Sequence, residues 1–272
     1  MTGTRDRLWT VVRRELRGAV RTRTYVFLAL ALTGVAFGVA RAGGGPSGGY
    51  VPTVVDVLLV VEVLVPTVAF AVGYRAIVDD AVRGELDVLR TYPLPTWAYV
   101  TGVYVGRAVA LLAVTVVPLA LLGVHVATTS GPEVTVFASH RGIDSPFLYV
   151  RFLTLTALLA LVSLSIALAL SAVAGSGRSA ILLAVAGLLL VVVGTDVALF
   201  GALDAGLASE GGLGAALALS PTSAYRGLVF ETVLYVAFEG RSGFVAPILA
   251  WVSLVGWVVL SLAGATAAVE YR

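Results

Sequence analysis

Residues 147–203 read FLYVRFLTLTALLALVSLSIALALSAVA, then GSGRS, then AILLAVAGLLLVVVGTDVALFGAL. Each apolar run is longer than the roughly 20 residues that an α-helix needs to cross the hydrocarbon core of a bilayer. The GSGRS turn is so short that the second run must return antiparallel to the first. The stretch therefore predicts a transmembrane helical hairpin with spans at 147–174 and 180–203.

Four further apolar runs predict additional spans, and the composition agrees with a membrane protein. These runs cover 25–40, 52–74, 97–126 and 244–269. Hydrophobic residues make up 59% of the chain and charged residues 12%, whereas about one quarter of the residues in a soluble domain are charged. We therefore predict one all-α, polytopic membrane domain over 1–272, with six transmembrane helices joined by short loops.

A basic amphipathic helix is predicted before the first span, over residues 1–24. Seven arginines alternate there with apolar residues such as Leu8, Val12 and Leu16 at helical spacing. Helices of this kind lie at the membrane interface. Ala40-Arg41-Ala42 matches the small residues of a signal-peptide cleavage site, but the long basic leader and the further spans favour a retained first span.

The distribution of arginine predicts the orientation, because cytoplasmic flanks of transmembrane helices are enriched in basic residues. Twelve arginines flank the spans on the side of the N-terminus and four on the other side. We therefore expect both termini in the cytoplasm, 75–96 as a cytoplasmic segment and 204–243 as an extracytoplasmic one.

The chain has no lysine, which is typical of a GC-rich prokaryotic genome. We therefore predict a multi-pass protein of a prokaryotic cell membrane. Its basic residues lie mostly at the ends of spans, so the partner they indicate is the lipid bilayer and not nucleic acid.

The chain lacks the residues that several kinds of catalysis require. A P-loop needs a lysine for the terminal phosphates, and a thiolate nucleophile or metal site needs cysteine; the chain has neither residue. His125 and His140 occur near or beyond the predicted outer boundary without an HExxH pattern. We therefore expect no catalytic, metal or cofactor site in this chain, and we predict that it is not an enzyme.

Four charged residues occur within the predicted spans, where charge is costly and is usually functional or paired. They are Asp56, Glu62, Arg107 and Asp196. One interpretation is a structural ion pair in which Glu62 or Asp196 neutralises Arg107. The alternative is that these side chains line a transport path.

The segment between the second and third spans is the most informative polar stretch. Ile77 and Ala81 would share one face of a short helix that Gly84 ends. A polar loop held between two spans suits the docking of a soluble partner, although it could equally be a solvated loop. The candidate coupling residues are Arg75, Asp79, Asp80, Arg83, Glu85, Leu86 and Asp87.

Three stretches carry a resemblance to a known family. They are VRREL at 12–16 with Arg21, YRAIVDDAVRGELDVLRTYPL at 74–94, and LSPTSAYR at 219–226. The first two resemble the membrane subunit of ABC-type exporters. The second and third are similar to the NosY-type permease of nitrous oxide reductase maturation, with Ser220 where that type has asparagine and Arg75 where an acidic residue is expected.

The resemblance implies a homodimer of six-span subunits that carries separately encoded ABC ATPase subunits, which bind the ATP. It implies that 75–95 and the leader helix transmit motion from the ATPases to the spans. It further implies a role in assembling the copper site of nitrous oxide reductase, with an extracytoplasmic metallochaperone or accessory protein as a candidate partner. Pro221, Tyr225 and Arg226 would be the contacts to that outer partner.

Three alternatives stay open. An ABC exporter permease for drugs, lipids or peptides is the nearest one, since the family motifs do not identify the cargo. A polytopic membrane enzyme is disfavoured by the missing catalytic residues, and a secondary transporter by the lack of an internal repeat. Without cysteine the chain offers few soft ligands for copper, so a sulfur-containing cargo or a mechanical signal is the stronger expectation.

Overall fold

The structure, a computed structural model, describes residues 4–86, 94–130, 144–194, 213–237 and 246–272, together with Val197 and Gly201. These residues form helices and turns, and they contain no strand. The helices are α1 (Thr4–Arg21), α2 (Arg23–Gly43), α3 (Gly45–Gly48), α4 (Tyr50–Gly73), α5 (Val78–Val82), α6 (Thr96–Thr129), α7 (Pro146–Val173), α8 (Gly177–Leu189), α9 (Leu213–Leu219), α10 (Pro221–Val229), α11 (Tyr235–Ala237) and α12 (Pro247–Glu270). Two π-helical turns, Leu190–Gly194 and Phe230–Leu234, follow α8 and α10.

Six helices are long and apolar enough to cross a membrane, which confirms the predicted number of spans. They are α2, α4, α6, α7, α8 with its π-helical turn, and α12. Their ends lie within a few residues of the predicted ends wherever the structure describes them. The agreement has a local cause, because a run of roughly 20 apolar residues is driven into the bilayer whatever its neighbours are.

The spans alternate in direction, so the bundle has two ends. We call the end that carries α1, the turn before α8 and the C-terminal Arg272 the leader face, and the other end the distal face. Arg272 donates to the carbonyl of Ala174, and this contact places the C-terminus beside the end of α7. At the distal face, both carboxylate oxygens of Asp144 accept the backbone N–H groups of Tyr50 and Val51, at 2.9 Å each, and so cap α4 from the residues before α7.

Cysteine labelling of intact cells tests the prediction that the leader face is cytoplasmic. Ser47 in α3 and Ser176 before α8 are exposed at opposite ends of the bundle, and the chain has no cysteine of its own. With the predicted orientation, an impermeant maleimide labels Ser47→Cys in intact cells and labels Ser176→Cys only after lysis. The reverse pattern would overturn the orientation.

The leader helix α1 is confirmed as a helix, but its apolar face contacts protein. Val11 and Val12 are buried against α6. A Cβ at Gly102 would lie 2.8 Å from the Cβ of Val11, and one at Gly106 would lie 2.5 Å from the Cβ of Glu15. Two glycines on α6 therefore allow α1 to pack directly on a transmembrane helix.

The segment 213–237 enters the bundle, so the prediction of an outer polar segment is wrong for these residues. The carbonyl of Leu219 accepts a hydrogen bond from Trp257 Nε1 at 3.0 Å, and Trp257 lies about 15 Å along α12 from its distal end. Thr222 Oγ1 donates to the carbonyl of Val191 at 2.9 Å. The turn between α9 and α10 thus lies at mid-span depth. The predicted helix at 222–236 does form, as α10, a π-helical turn and α11, but it is largely buried.

Candidate functional site

A cluster of charged side chains joins α1, α5 and α6 at the leader face. Arg14 Nη2 lies 2.6 Å from Asp80 Oδ2, and Tyr99 donates its hydroxyl to the same oxygen at 2.7 Å. Arg14 Nη1 also donates to Glu85 Oε2 at 3.2 Å. Asp80 is only 7% exposed, so its charge depends on these two partners. One carboxylate thereby links the leader helix, the predicted coupling segment and the third span.

The same cluster contains Arg107, which the sequence analysis had placed within the membrane beside Glu62 or Asp196. Arg107 Nε donates to Glu15 Oε2 at 3.0 Å, and Nη1 donates to the carbonyl of Val72. Val72 is one residue from the leader-face end of α4, so Arg107 lies near the membrane boundary. The expected pairing of Arg107 with Glu62 is wrong, because α6 extends beyond the bilayer and carries Arg107 to the level of α1.

The leader-face ion cluster, as we call it, consists of Arg14, Glu15, Asp80, Glu85, Tyr99 and Arg107. Burial disfavours the charged guanidinium of Arg14, but the hydrogen bond and charge of Asp80, aided by Glu15, raise the pKa of Arg14 above its ordinary value. Arg14 therefore stays charged over the physiological range. It borders an open cavity of about 530 Å³ between α1, α2, α4 and α5.

The other candidate coupling residues surround this cluster. Asp79 lies between two arginines, 2.9 Å from Arg75 and 3.7 Å from Arg83, and both arginines are more than half exposed. Leu86 is buried, and Asp87 lies outside the described residues. The short helix and its end are as predicted, since α5 covers Val78–Val82 and Gly84 has a φ of 73°.

The coupling segment is also fixed to the bundle through its backbone. Ser171 Oγ on α7 accepts the N–H groups of Ile77 and Val78, at 3.0 and 3.2 Å. These donors belong to the start of α5, where a helix has no intrahelical acceptors for them. Movement of α5 would therefore be transmitted to α7 as well as to α1 and α6.

A second ion pair lies near the middle of the bundle and joins α4 to α10. Arg226 Nε donates to Glu62 Oε2 at 3.0 Å, and Nη2 donates to Oε1, so the contact is bidentate. Glu62 is buried, while the side chain of Arg226 is 34% exposed beside a cavity of about 500 Å³. Arg226, predicted as an outer contact, instead neutralises the charge at mid-span.

The remaining predicted site residues have structural surroundings. Asp56 lies against the backbone of Gly43 and Gly45, and a Cβ on either glycine would be within 2.5 Å of its carboxylate. Tyr225 is fully buried and contacts Thr156 at 3.1 Å. Pro221 is buried as well, so neither Pro221 nor Tyr225 is accessible to an outer partner in this arrangement. Asp196 lies outside the described residues.

The histidines and acidic residues do not form a metal site in the described part of the chain. No group of three or more His, Asp or Glu side chains there is arranged so that it could hold a metal ion. His125 packs against the ring of Phe37 with 5.6 Å between centroids. His140 and residues 204–212 lie outside the described residues.

Sequence reasoning missed Glu15, Tyr99 and Asp144. Glu15 belongs to the VRREL stretch, and the acidic residue among the arginines of a leader helix was the available signal. The sequence gives no signal for Tyr99 or Asp144. A tyrosine near the start of a span and an aspartate before a span are common, so neither residue stands out.

Two curated proteins are similar to this chain in sequence. A protein of Stutzerimonas stutzeri named as a probable ABC transporter permease, NosY, is 27% identical over 94% of this chain and 95% of its own length. The chain is thus similar, along almost its whole length, to a protein named as an ABC transporter permease. A probable ABC transporter permease NosY of Pseudomonas aeruginosa is 30% identical over 40% of this chain and 42% of its own length. No family model matches the chain.

These relatives confirm the resemblance to NosY-type permeases, and together with the six apolar helices they confirm a multi-pass membrane protein of a prokaryote. Four of the six residues of the leader-face ion cluster lie in the stretches that carried the resemblance, 12–16 and 74–94. They are Arg14, Glu15, Asp80 and Glu85.

Proposed function

We propose that this permease works with a separate ABC ATPase, which binds and hydrolyses the ATP, and that two copies form the membrane part of the complex. The observation that carries the proposal is the leader-face ion cluster. It links α1, α5 and α6 beside an open cavity. A soluble ATPase that contacts the exposed Arg75, Arg83 and Glu85 would move α5, and the cluster would transmit that motion to the spans.

The second part of the proposal concerns what the complex does. The relatives named NosY suggest a role in assembling the copper site of nitrous oxide reductase on the extracytoplasmic side. The permease has one methionine and no cysteine, and soft ligands of these types are the ones that select copper(I). We therefore propose that it delivers a sulfur-containing cargo, or a mechanical signal to an outer accessory protein, and not copper itself.

The distal face is where such an outer protein would act. The described residues of the segment after α8 are folded into the bundle, with Tyr225 and Pro221 buried. An accessory protein would therefore sense the position of α10 indirectly, through the ends of the spans. The ion pair between Glu62 and Arg226 would hold α10 against α4 until the spans move.

Deletion of the gene in the source strain tests this function. We expect nitrous oxide reductase to be exported but to lack its catalytic copper–sulfur centre, so that nitrous oxide accumulates during anaerobic growth. Gas chromatography of the headspace and the visible spectrum of the purified reductase give the two readouts.

The control strain carries the wild-type gene on a plasmid, and it should restore both signals. A deletion strain with fully active reductase would contradict the NosY-like role. The permease would then be assigned to an exporter of drugs, lipids or peptides.

A further inference from the structure

Arg151, near the distal end of α7, has no carboxylate partner among the described residues. Arg151 donates from Nη1 to the carbonyl of Thr232 at 3.0 Å, and its Cζ lies 4.9 Å from the centroid of the Phe147 ring. No Asp or Glu oxygen within the described ranges is within ion-pair distance of it. A charged side chain in a membrane span is costly unless an opposite charge neutralises it. An anion from outside the described residues would therefore stabilise Arg151.

The depth of Arg151 indicates where that anion would come from. Helix α7 has 28 residues, which at 1.5 Å per residue is about 42 Å, the thickness of a bilayer with its headgroup layers. Arg151 is the sixth residue, about 8 Å from the distal end, and is thus near the boundary between headgroups and hydrocarbon. Trp251 is the fifth residue of α12, at a similar depth, where tryptophan is enriched in membrane proteins.

A groove of about 550 Å³ lies beside Arg151 and extends about one turn to either side of it along α7. Its walls include Leu155 one turn deeper on α7 and Trp251 on α12. Four of the lining side chains face outward, including Phe147, which is 62% exposed, and Trp251, which is 41% exposed. Leu155 is buried and forms the floor of the groove. At this depth an outward-facing apolar groove opens to lipid, so acyl chains would cover it.

We propose that Arg151 and this groove bind a phospholipid of the distal leaflet, with its phosphate on the guanidinium and an acyl chain along Leu155 and Trp251. A guanidinium has five N–H donors, and phosphate oxygens accept two of them in parallel. The protein uses Nη1, which leaves donors for the phosphate. The ring of Phe147 lies against the guanidinium and helps to hold it at the groove.

A purely structural role would explain less of this geometry. The bond to Thr232 does hold the π-helical turn after α10 against α7. A neutral donor would make that bond without the cost of placing a charge in a span. The guanidinium beside an outward-facing apolar groove is explained by an anion that also carries an acyl chain.

Native mass spectrometry of the purified permease, titrated with lipids that share the same acyl chains, tests the proposal. We expect phosphatidylglycerol and phosphatidylethanolamine to fill one site, and diacylglycerol, which lacks the phosphate, to bind it weakly. Arg151→Gln should weaken that site about tenfold or more, because a charge-assisted hydrogen bond is worth about 1.5–3 kcal/mol. Arg151→Lys should keep part of the affinity. The matched control is Arg41→Gln, which removes an exposed arginine at the same face.

Fluorescence gives a second readout in vesicles. Brominated phosphatidylglycerol should quench tryptophan emission in the wild type. Part of this quenching comes from Trp251 and should disappear in Trp251→Phe. The same part should disappear in Arg151→Gln. Millimolar inorganic phosphate at constant ionic strength should leave the quenching unchanged, because the free ion lacks the acyl chain.

Three results would overturn the proposal. They are equal lipid affinity of Arg151→Gln and the wild type, equal binding of diacylglycerol and phospholipid, and relief of the quenching by inorganic phosphate. Loss of a second copy or of an extracytoplasmic protein from the Arg151→Gln permease, with lipid affinity unchanged, would assign this surface to protein contact instead.

Discussion

Replacing Glu62 by Gln is expected to lower the free energy of unfolding by about 3–5 kcal/mol, the usual cost of removing one partner of a buried ion pair. The variant leaves the guanidinium of Arg226 at mid-span without its bidentate carboxylate. For a chain of this size the midpoint of thermal unfolding should fall by on the order of 10 °C. The measurement is the loss of monodisperse protein with temperature in detergent, followed by size-exclusion chromatography.

The double variant Glu62→Gln with Arg226→Gln separates the ion pair from the packing around it. Both charges are then absent, and two amides can still hydrogen-bond, so we expect most of the lost stability to return. Glu270→Gln is the matched control, because it removes an exposed carboxylate at the end of α12. If the double variant is as unstable as the single one, the contribution of the pair to the free energy of unfolding does not come from the charge of Glu62.

Asp80→Ala is expected to uncouple the permease from the ABC ATPase that we propose as its partner. Asp80 accepts hydrogen bonds from Arg14 on α1 and Tyr99 on α6, and a hydrogen bond to a charged group contributes about 1.5–3 kcal/mol. Without it, α5 would move independently of the spans. Permease-dependent stimulation of the ATPase in proteoliposomes should fall by about tenfold or more, while the permease still inserts in the membrane.

Two neighbouring substitutions sharpen this prediction. Arg14→Gln should reproduce the uncoupling, because it removes the partner of Asp80 on α1. Arg13→Gln, which removes the adjacent exposed arginine, should leave coupling unchanged. Full stimulation in Asp80→Ala and Arg14→Gln would show that the leader-face ion cluster does not transmit the motion.

Much of the fold could be predicted from the sequence because membrane insertion is a local property. Each span is an apolar run long enough to cross the bilayer, and nearly all of its backbone groups are satisfied within its own helix. The short helix α5 and its end at Gly84 were also predictable, since a glycine with positive φ ends a helix at little steric cost. The orientation remains a prediction from the arginine distribution.

The segment 213–237 shows where such local reasoning ends. Its polar residues and short helical pattern favour an outer segment, yet α10 lies inside the bundle with Tyr225 fully buried. The polar groups are satisfied there by Val191, Thr156 and Trp257, which belong to three different spans. A polar helix can enter a bundle only where neighbours supply such partners, and a local pattern does not identify them.

The sequence by itself determined the six spans and the presence of costly charges within or beside them. Only the tertiary structure decided the partners of those charges, since Arg107 pairs with Glu15 across 92 residues and Glu62 with Arg226 across 164. The need to neutralise a buried charge follows from its own desolvation. The choice of partner depends on which helices are neighbours and on how deep each side chain lies, and both follow from the packing of the whole bundle.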